Sequence, residues 1–453
     1  GRYSAIGFDP DVVWRCRGKT AEINRQALKT PDTFEPCPGP PLESLRALIA
    51  ESRTDLPEKL PPMASGLFGY IGYDAVRLME RLPDKNPSEI DIPDAMFLRP
   101  TIMAIFDIVE DSVFVVTPVW PNPTVPTRKA YNQACDRLRE VASRFDRDLK
   151  MGHAPEEVAG ELAEPVSNTT RAEYHAIVAK AKEYILAGDI FQVVPSQRFS
   201  VPFALPPFAL YRALRRLNPS PFLFFFDFGG FSVVGSSPEI LVRLRQGVVT
   251  IRPIAGTRPR GANAAEDRAL SADLLADPKE VAEHLMLLDL GRNDVGRVAK
   301  TGTVHVTDQM VIEYYSHVMH IVSNVEGDID PKYDALDALI AGFPAGTVSG
   351  APKVRAMQVI DELEKTRRNL YAGAVGYFSC TGDMDTCIAL RTAVVKDGTI
   401  YIQAGGGVVA DSDPESEYQE TRNKARALLR AAQEAVRFAG TGAEEPAREA
   451  GGR

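Results

Sequence analysis

The sequence predicts an α+β fold built on antiparallel sheets, and two observations carry that prediction. Strand-like runs are joined mainly by hairpin turns such as Gln246-Gly247 and Asp397-Gly398. Helical stretches fall between groups of these strands, and no internal repeat is present.

In chain order, Tyr3–Phe8 reads as a strand ending at the turn Asp9-Pro10. Pro31–Pro41 is a proline-rich connection, and Leu42–Ser52 a short helix. Gly66–Tyr73 spaces glycines among aromatics, which predicts closely packed backbones, with Asp74 opening a helix through Glu80. Thr101–Val119 reads as a hairpin turning at Glu110–Ser112. Thr127–Lys150 is an amphipathic helix with Ala134, Leu138, Val141 and Phe145 on one stripe. Met151–Ser167 lacks apolar periodicity and reads as a linker.

Thr170 to Glu173 forms a capping box opening a helix to about Ala187. Strands follow at Ile190–Phe199, Phe222–Phe228 (short, and expected to be buried), Phe231–Val234, Ile240–Leu244 and Val248–Pro253, with a helix at Pro207–Leu217. Helices are expected at Pro278–Leu290, Tyr333–Ala341 and Pro352–Leu363. Gly373–Ser379, Asp385–Val395 and Thr399–Ala404 are strands, and Pro414 to about Phe438 is a helix. The expected organisation is an N-terminal region over 1–165, a catalytic domain over 166–438 and a disordered tail over 439–453.

Length and composition narrow the function. The 453 residues, 44% apolar and 25% charged, suffice for two or three ordinary globular domains. A net charge of −9 argues against a nucleic-acid binder, while leaving room for an anionic substrate held by a few arginines. No apolar run approaches the ~18 residues of a membrane span. Five cysteines without CxxC spacing, and no signal peptide, suggest reduced thiols and a cytoplasmic location.

Two segments share one layout: Asp277-Pro278 followed by Glu280 and Glu283, and Asp413-Pro414 followed by Glu417 and Glu420. Each is a helix start with carboxylates one turn apart on one face. Either these acids complete capping arrangements that suit the helix dipole, or they hold a hard cation such as Mg²⁺. Pro253 to Gly261 puts a Gly256-Thr257 corner beside Arg258 and Arg260, which is either a carboxylate cradle or a turn with solvated arginines. Gly405, Gly406 and Gly407 are either a strand-end turn or a place where backbone amides approach a ligand; they lack a P-loop lysine. The small-residue loop Phe343 to Lys353 suits a site wall, and His317 and His320 are core residues or catalysts.

Taken together, PIAGTRPRG, EHLMLLDLGRNDVGRV, FPAGTVSGAPKVRAMQVIDELE, YAGAVGY and QAGGGVV…DPESEYQETRNKA resemble the chorismate-utilising enzymes, most closely the anthranilate synthase component I branch. The resemblance covers most of the chain up to Ala425. It implies two large antiparallel sheets facing each other, helices outside, and an active-site cleft. It also implies chorismate as substrate, Mg²⁺ as cofactor, anthranilate and pyruvate as products, and a place in tryptophan biosynthesis.

By resemblance, Glu283 and Glu420 ligate Mg²⁺ with Glu280 and Glu417 in support. Gly256, Thr257, Tyr371, Arg391 and Gly405 to Gly407 match substrate-binding positions. Glu239 matches the general acid for the C4 hydroxyl, and His320 the histidine associated with pyruvate elimination. Ala255 stands where aminodeoxychorismate synthases have lysine, and Gln192 where water-using relatives have a lysine base. Both point to ammonia as nucleophile. No glutaminase signature is present, so a glutamine amidotransferase subunit is the implied partner. Pro221, Phe222 and Leu223 resemble one wall of a tryptophan feedback pocket. The segment carrying the family's other wall is expected before Gly1, so tryptophan inhibition is expected of the full-length protein.

Overall fold

The computed structural model describes residues 2–120, 124–145, 147, 161–315 and 318–441. The chain forms two compact units, each assembled from separated segments. The first comprises 1–147, 190–194 and 239–389; the second comprises 148–189, 195–238 and 390–453. The division at residue 165 is therefore one of expected role, since compactness groups the chain differently.

The first unit is built on a 13-stranded sheet, all of whose pairings are antiparallel among the described residues. Strand Tyr3–Arg17 runs through Asp9-Pro10 without turning; Pro10 pairs with Pro100, and the bulge comes directly after it, before Val12. Strand Gly66–Ile71 confirms the close packing expected there: a Cβ on Gly69 would lie 1.9 Å from the Met96 carbonyl oxygen. Asp74 belongs to a 3-10 turn, Tyr73–Leu78. The hairpin at 95–116 forms as expected, from strands Ala95–Asp107 and Ser112–Val116. Helix Thr127–Phe145 buries Ala134 and Val141, whereas Phe145 is exposed.

Helix Pro278–Gly296 lies on strands Ile254–Pro259 and Val318–Asp328. Leu274, from the preceding helix Ala264–Ala276, forms a local core with Met319 and Ile321. His284, fully buried and bonded to Ser323 Oγ at 2.6 Å, is the packed histidine of this region. Burial holds its pKa below the ordinary value. Three elements here were not expected: helix Ala264–Ala276 and the paired strands His305–Tyr314 and Val318–Asp328.

The second unit is a six-stranded antiparallel sheet covered by helices Pro207–Leu217 and Pro414–Thr441. Leu210, Leu214, Ile400, Ile402 and Leu428 form its core, each at most 1% exposed. Strand Phe222–Asp227 is not buried as expected: it is the sheet's edge strand, with half-buried phenylalanines; Phe226 packs on Phe224 and stacks on Phe228, which stacks in turn on Phe231. The Thr170–Glu173 capping box is present, and helix Arg171–Leu186 follows it.

Two expected strands are each cut in two. Ile190–Phe199 becomes Gln192–Val193 and Ser196–Pro202, broken before Pro195. Asp385–Val395 becomes Met384–Ile388 and Thr392–Lys396, broken at Ala389–Arg391. At both breaks the chain leaves one unit for the other. The last helix continues past Phe438 to Thr441; residues 442–453, most of the expected tail, lie outside the described residues, as do 151–160 of the expected linker. No helix among the described residues is long and apolar enough to cross a membrane.

Candidate active site

Glu239 follows Pro238, which cannot donate to a ladder, and precedes strand Ile240–Arg245. Its carbonyl accepts from Ile388 N–H at 3.0 Å, and its residue is 6% exposed. Thr347, in the helical turn Gly346–Ser349, donates its hydroxyl to Glu239 Oε1 at 3.0 Å. Glu239, Thr347, Arg252 and Asp294 line one pocket together with Leu287 and Leu290. The expected site-wall loop thus reaches the expected acid. A carboxyl held this way can present a proton to a neighbouring hydroxyl.

His320 lies on strand Val318–Asp328, with Thr257 and Glu313 as its cross-strand partners. Its Nδ1 lies 3.1 Å from Gly256 O and 3.0 Å from Thr257 Oγ1. A carbonyl only accepts, so Nδ1 carries hydrogen and Nε2 keeps its lone pair in the neutral ring. Gly256, at φ +80°, makes a bulge in strand Ile254–Pro259 where a strand-ending corner was expected. A Cβ there would lie 3.2 Å from Glu280 Oε2. His317 lies outside the described residues.

The start of helix Pro278–Gly296 is crowded with charge. Asp277 caps it, accepting from the N–H groups of Lys279 and Glu280. Arg258 reaches Asp273 and Asp277 at 2.8 Å and Glu280 at 3.2 Å, so it clamps acids and is not a solvated arginine. Its hydrogen bond holds the Asp277 carboxyl below its usual range. Arg260 is likewise bound to Asp267. Glu283, one turn on, accepts from Gln192 Nε2 at 2.9 Å. Gln192 is 3% exposed, and its Oε1 has no hydrogen-bond partner among the described residues.

Tyr371 is buried, in the loop between Asn369 and Ala372, both at positive φ. The Arg368 guanidinium lies 5.5 Å from its ring centre.

In the second unit, Arg391 is a non-glycine residue at φ 48°, and its carbonyl accepts from Ser236 N–H at 3.1 Å. Gly405 ends strand Thr399–Gly405, and Gly406 N–H donates to Pro195 O at 3.1 Å. Gly406 lies against Glu417, whose Oε1 accepts from Ser412 Oγ at 2.8 Å. Lys424 bonds both Gly405 O at 2.9 Å and Glu420 Oε1 at 2.7 Å. Glu420 and the glycine turn thus share one lysine. Phe222 and Leu223 are half-buried on the edge strand, and Pro221 before it is exposed.

Within the first unit the structure joins Glu239 to Thr347, His320 to Gly256 and Thr257, and Glu283 to Gln192. Within the second it joins Gly405 and Gly406 to Glu417, Glu420 and Lys424. Among the described residues no group of three or more His, Cys, Asp or Glu stands ready to hold a metal. The site residues that sequence reading missed are Arg252, Glu313, Tyr315, Thr347 and Lys424. Thr347 lay within a motif already singled out; Glu313 lies in the unrecognised strand His305–Tyr314 and Tyr315 directly after it.

Comparison with known proteins places these features in a family. The model of chorismate binding enzymes matches residues 8–430. Anthranilate synthase component 1 of Cereibacter sphaeroides is 62% identical over 97% of this chain and 88% of its own length. The protein of the same name from Pseudomonas putida is 48% identical over 95% of this chain and 87% of its own. The crystal structure of anthranilate synthase component I from Streptococcus pneumoniae superposes with a TM-score of 0.84 at 37% identity, covering 95% of this chain and 92% of that one. The chain belongs to the family of chorismate binding enzymes.

Proposed function

We propose that the chain converts chorismate and ammonia to anthranilate and pyruvate. The observation that carries this reading is the buried Glu239 carboxyl held by Thr347 in a pocket, in a chain of this family. Hydroxide is a poor leaving group, so protonation of the C4 hydroxyl must accompany its loss. Glu239 gives that proton as ammonia bonds to C2 and the C4–O bond breaks, releasing water. A base then takes the C2 proton, the C3–O bond breaks, and the ring becomes aromatic. The departing enolpyruvate takes a proton on its methylene carbon and leaves as pyruvate, which makes the enzyme a lyase. His320, whose Nδ1–H is held by Gly256 O, serves this second stage.

Ammonia as nucleophile is supported by Gln192. A neutral amide cannot remove a proton from water, and this one is already donating to Glu283. The component 1 name of the relatives supports a second component, a glutamine amidotransferase, as the ammonia source. Arg391 and the amides of Gly405 to Gly407 are proposed to hold the enolpyruvyl carboxylate, with Gly256, Thr257 and Tyr371 completing the substrate contacts.

The oxygen-only donors Glu283 and Glu420, supported by Glu280 and Glu417, fit Mg²⁺, a hard cation that takes few protein carboxylates. Bound Mg²⁺ would neutralise and orient the ring carboxylate of the substrate. Pro221, Phe222 and Leu223 are proposed as part of a tryptophan feedback site.

The test mixes the chain with chorismate, an ammonium salt and Mg²⁺ at alkaline pH. Blue-fluorescent anthranilate should accumulate with equal pyruvate. A 4-amino product, a hydroxylated product or no turnover would overturn the reading.

A further inference from the structure

Glu313 has no part in the chemistry above, yet it lies directly across the strand pair from His320. Its carboxylate is fixed from two sides. Arg252 makes an ion pair with it through both terminal nitrogens, and Tyr315 donates its hydroxyl to Oε2 at 3.0 Å. The Tyr315 ring then stands edge-on to the imidazole, 5.4 Å between centres at 66°. On the other side, Nδ1 is bonded to Gly256 O and Thr257 Oγ1. The imidazole is therefore gripped by the strand on one side and by the tyrosine–glutamate pair on the other. Arg252 also lines the pocket of Glu239.

We infer that Glu313, held by Arg252 and Tyr315, is a positioning residue for His320 in the second stage of the reaction. A fixed carboxylate there favours the imidazolium that forms when Nε2 takes a proton, and it keeps the ring from turning. Burial works against ionisation of Glu313, but Arg252, Tyr315 and the imidazole hold its carboxyl below the usual range. A surface ion pair with only a structural role would affect stability and leave the two stages in step.

The inference rests on the reaction proposed above, and its test separates the two. Chorismate loss and pyruvate release are timed separately with ammonium and Mg²⁺ for the unaltered chain, Glu313→Gln and Tyr315→Phe. Glu313→Gln should slow pyruvate release on the order of ten-fold, a part of the ~10²–10⁴ that acid–base groups supply. Chorismate loss should change far less, so an aminated adduct still bearing its enolpyruvyl group accumulates. Tyr315→Phe, which keeps the ring and removes the hydroxyl, should do the same more weakly; it decides the matter should Glu313→Gln not fold. An unaltered chain that consumes no chorismate overturns the reaction and the inference with it. Normal turnover with pyruvate release in step with chorismate loss in both variants overturns the inference alone.

Discussion

The two helix starts, Asp277-Pro278 and Asp413-Pro414, use the same residues and end in different surroundings. In both, the aspartate caps its own helix: Asp277 accepts from Lys279 and Glu280 N–H, and Asp413 from Ser416 N–H and hydroxyl. Beyond the cap they diverge. The first has an arginine clamped on its acids and a buried neutral amide on Glu283. The second has a serine on Glu417 and a lysine on the half-exposed Glu420. A local signal thus fixes the helix start, whereas distant residues decide what each acid can do. Glu283 accepts from a donor without charge, whereas Glu420 accepts from an ammonium.

If both acids serve catalysis, Glu283→Gln and Glu420→Gln should each cut turnover on the order of 100-fold and raise the Mg²⁺ needed for half-maximal rate. Loss in only one of the two breaks the pairing. Partners come next. Gln192→Leu, which removes the buried amide that donates to the half-buried Glu283, should cost about ten-fold in anthranilate formation. Lys424→Met should cost only a few-fold, because an exposed ion pair contributes little; the reverse order in the same assay would contradict the contrast in burial.

Stability differences are smaller. Arg258→Ala leaves Asp273, Asp277 and Glu280 without their shared cation at one helix start. It should lower the thermal midpoint by about 2–4 °C, and Ser412→Ala by less. The smallest effect is on pH dependence. Asp277 and Asp413 both have folded-state pKa values below ordinary, the first through Arg258 and the second through Ser416. Each therefore adds stability that is present above the ordinary carboxylate range and lost as pH falls through it to the lowered value. Melts across that acid range should show Arg258→Ala flattening the slope that Asp277 supplies, while Asp413→Ala removes the other part.

The same contrast explains what was legible in the sequence. The helix starts at Asp277-Pro278 and Asp413-Pro414, the capping box at Thr170 and the tight hairpins at Gln246-Gly247 and Asp397-Gly398 depend on neighbours in the chain, and these were readable. The strand His305–Tyr314 was not. Its register shifts twice, and Met310 sits at φ 53°, so the alternation that marks a strand is broken. With that strand went Glu313 and Tyr315. The runs 190–199 and 385–395 look like single strands because their apolar pattern continues across the point where the chain changes sheet. Arg258 and Arg260 stayed open between a carboxylate cradle and solvated arginines because the acids that bind them lie further along the chain. Glu239, His320 and the glycines were named from motif resemblance, not from spacing, and only the fold shows what holds them.

The central claim is that Glu239 acts as an acid in the pocket it shares with Thr347. Chorismate affinity and single-turnover rate, measured side by side for the unaltered chain and Glu239→Gln, test it most directly. Glu239→Gln should leave affinity nearly unchanged and lower the rate by about 10²–10⁴. A Glu239→Gln variant that turns over like the unaltered chain would contradict it.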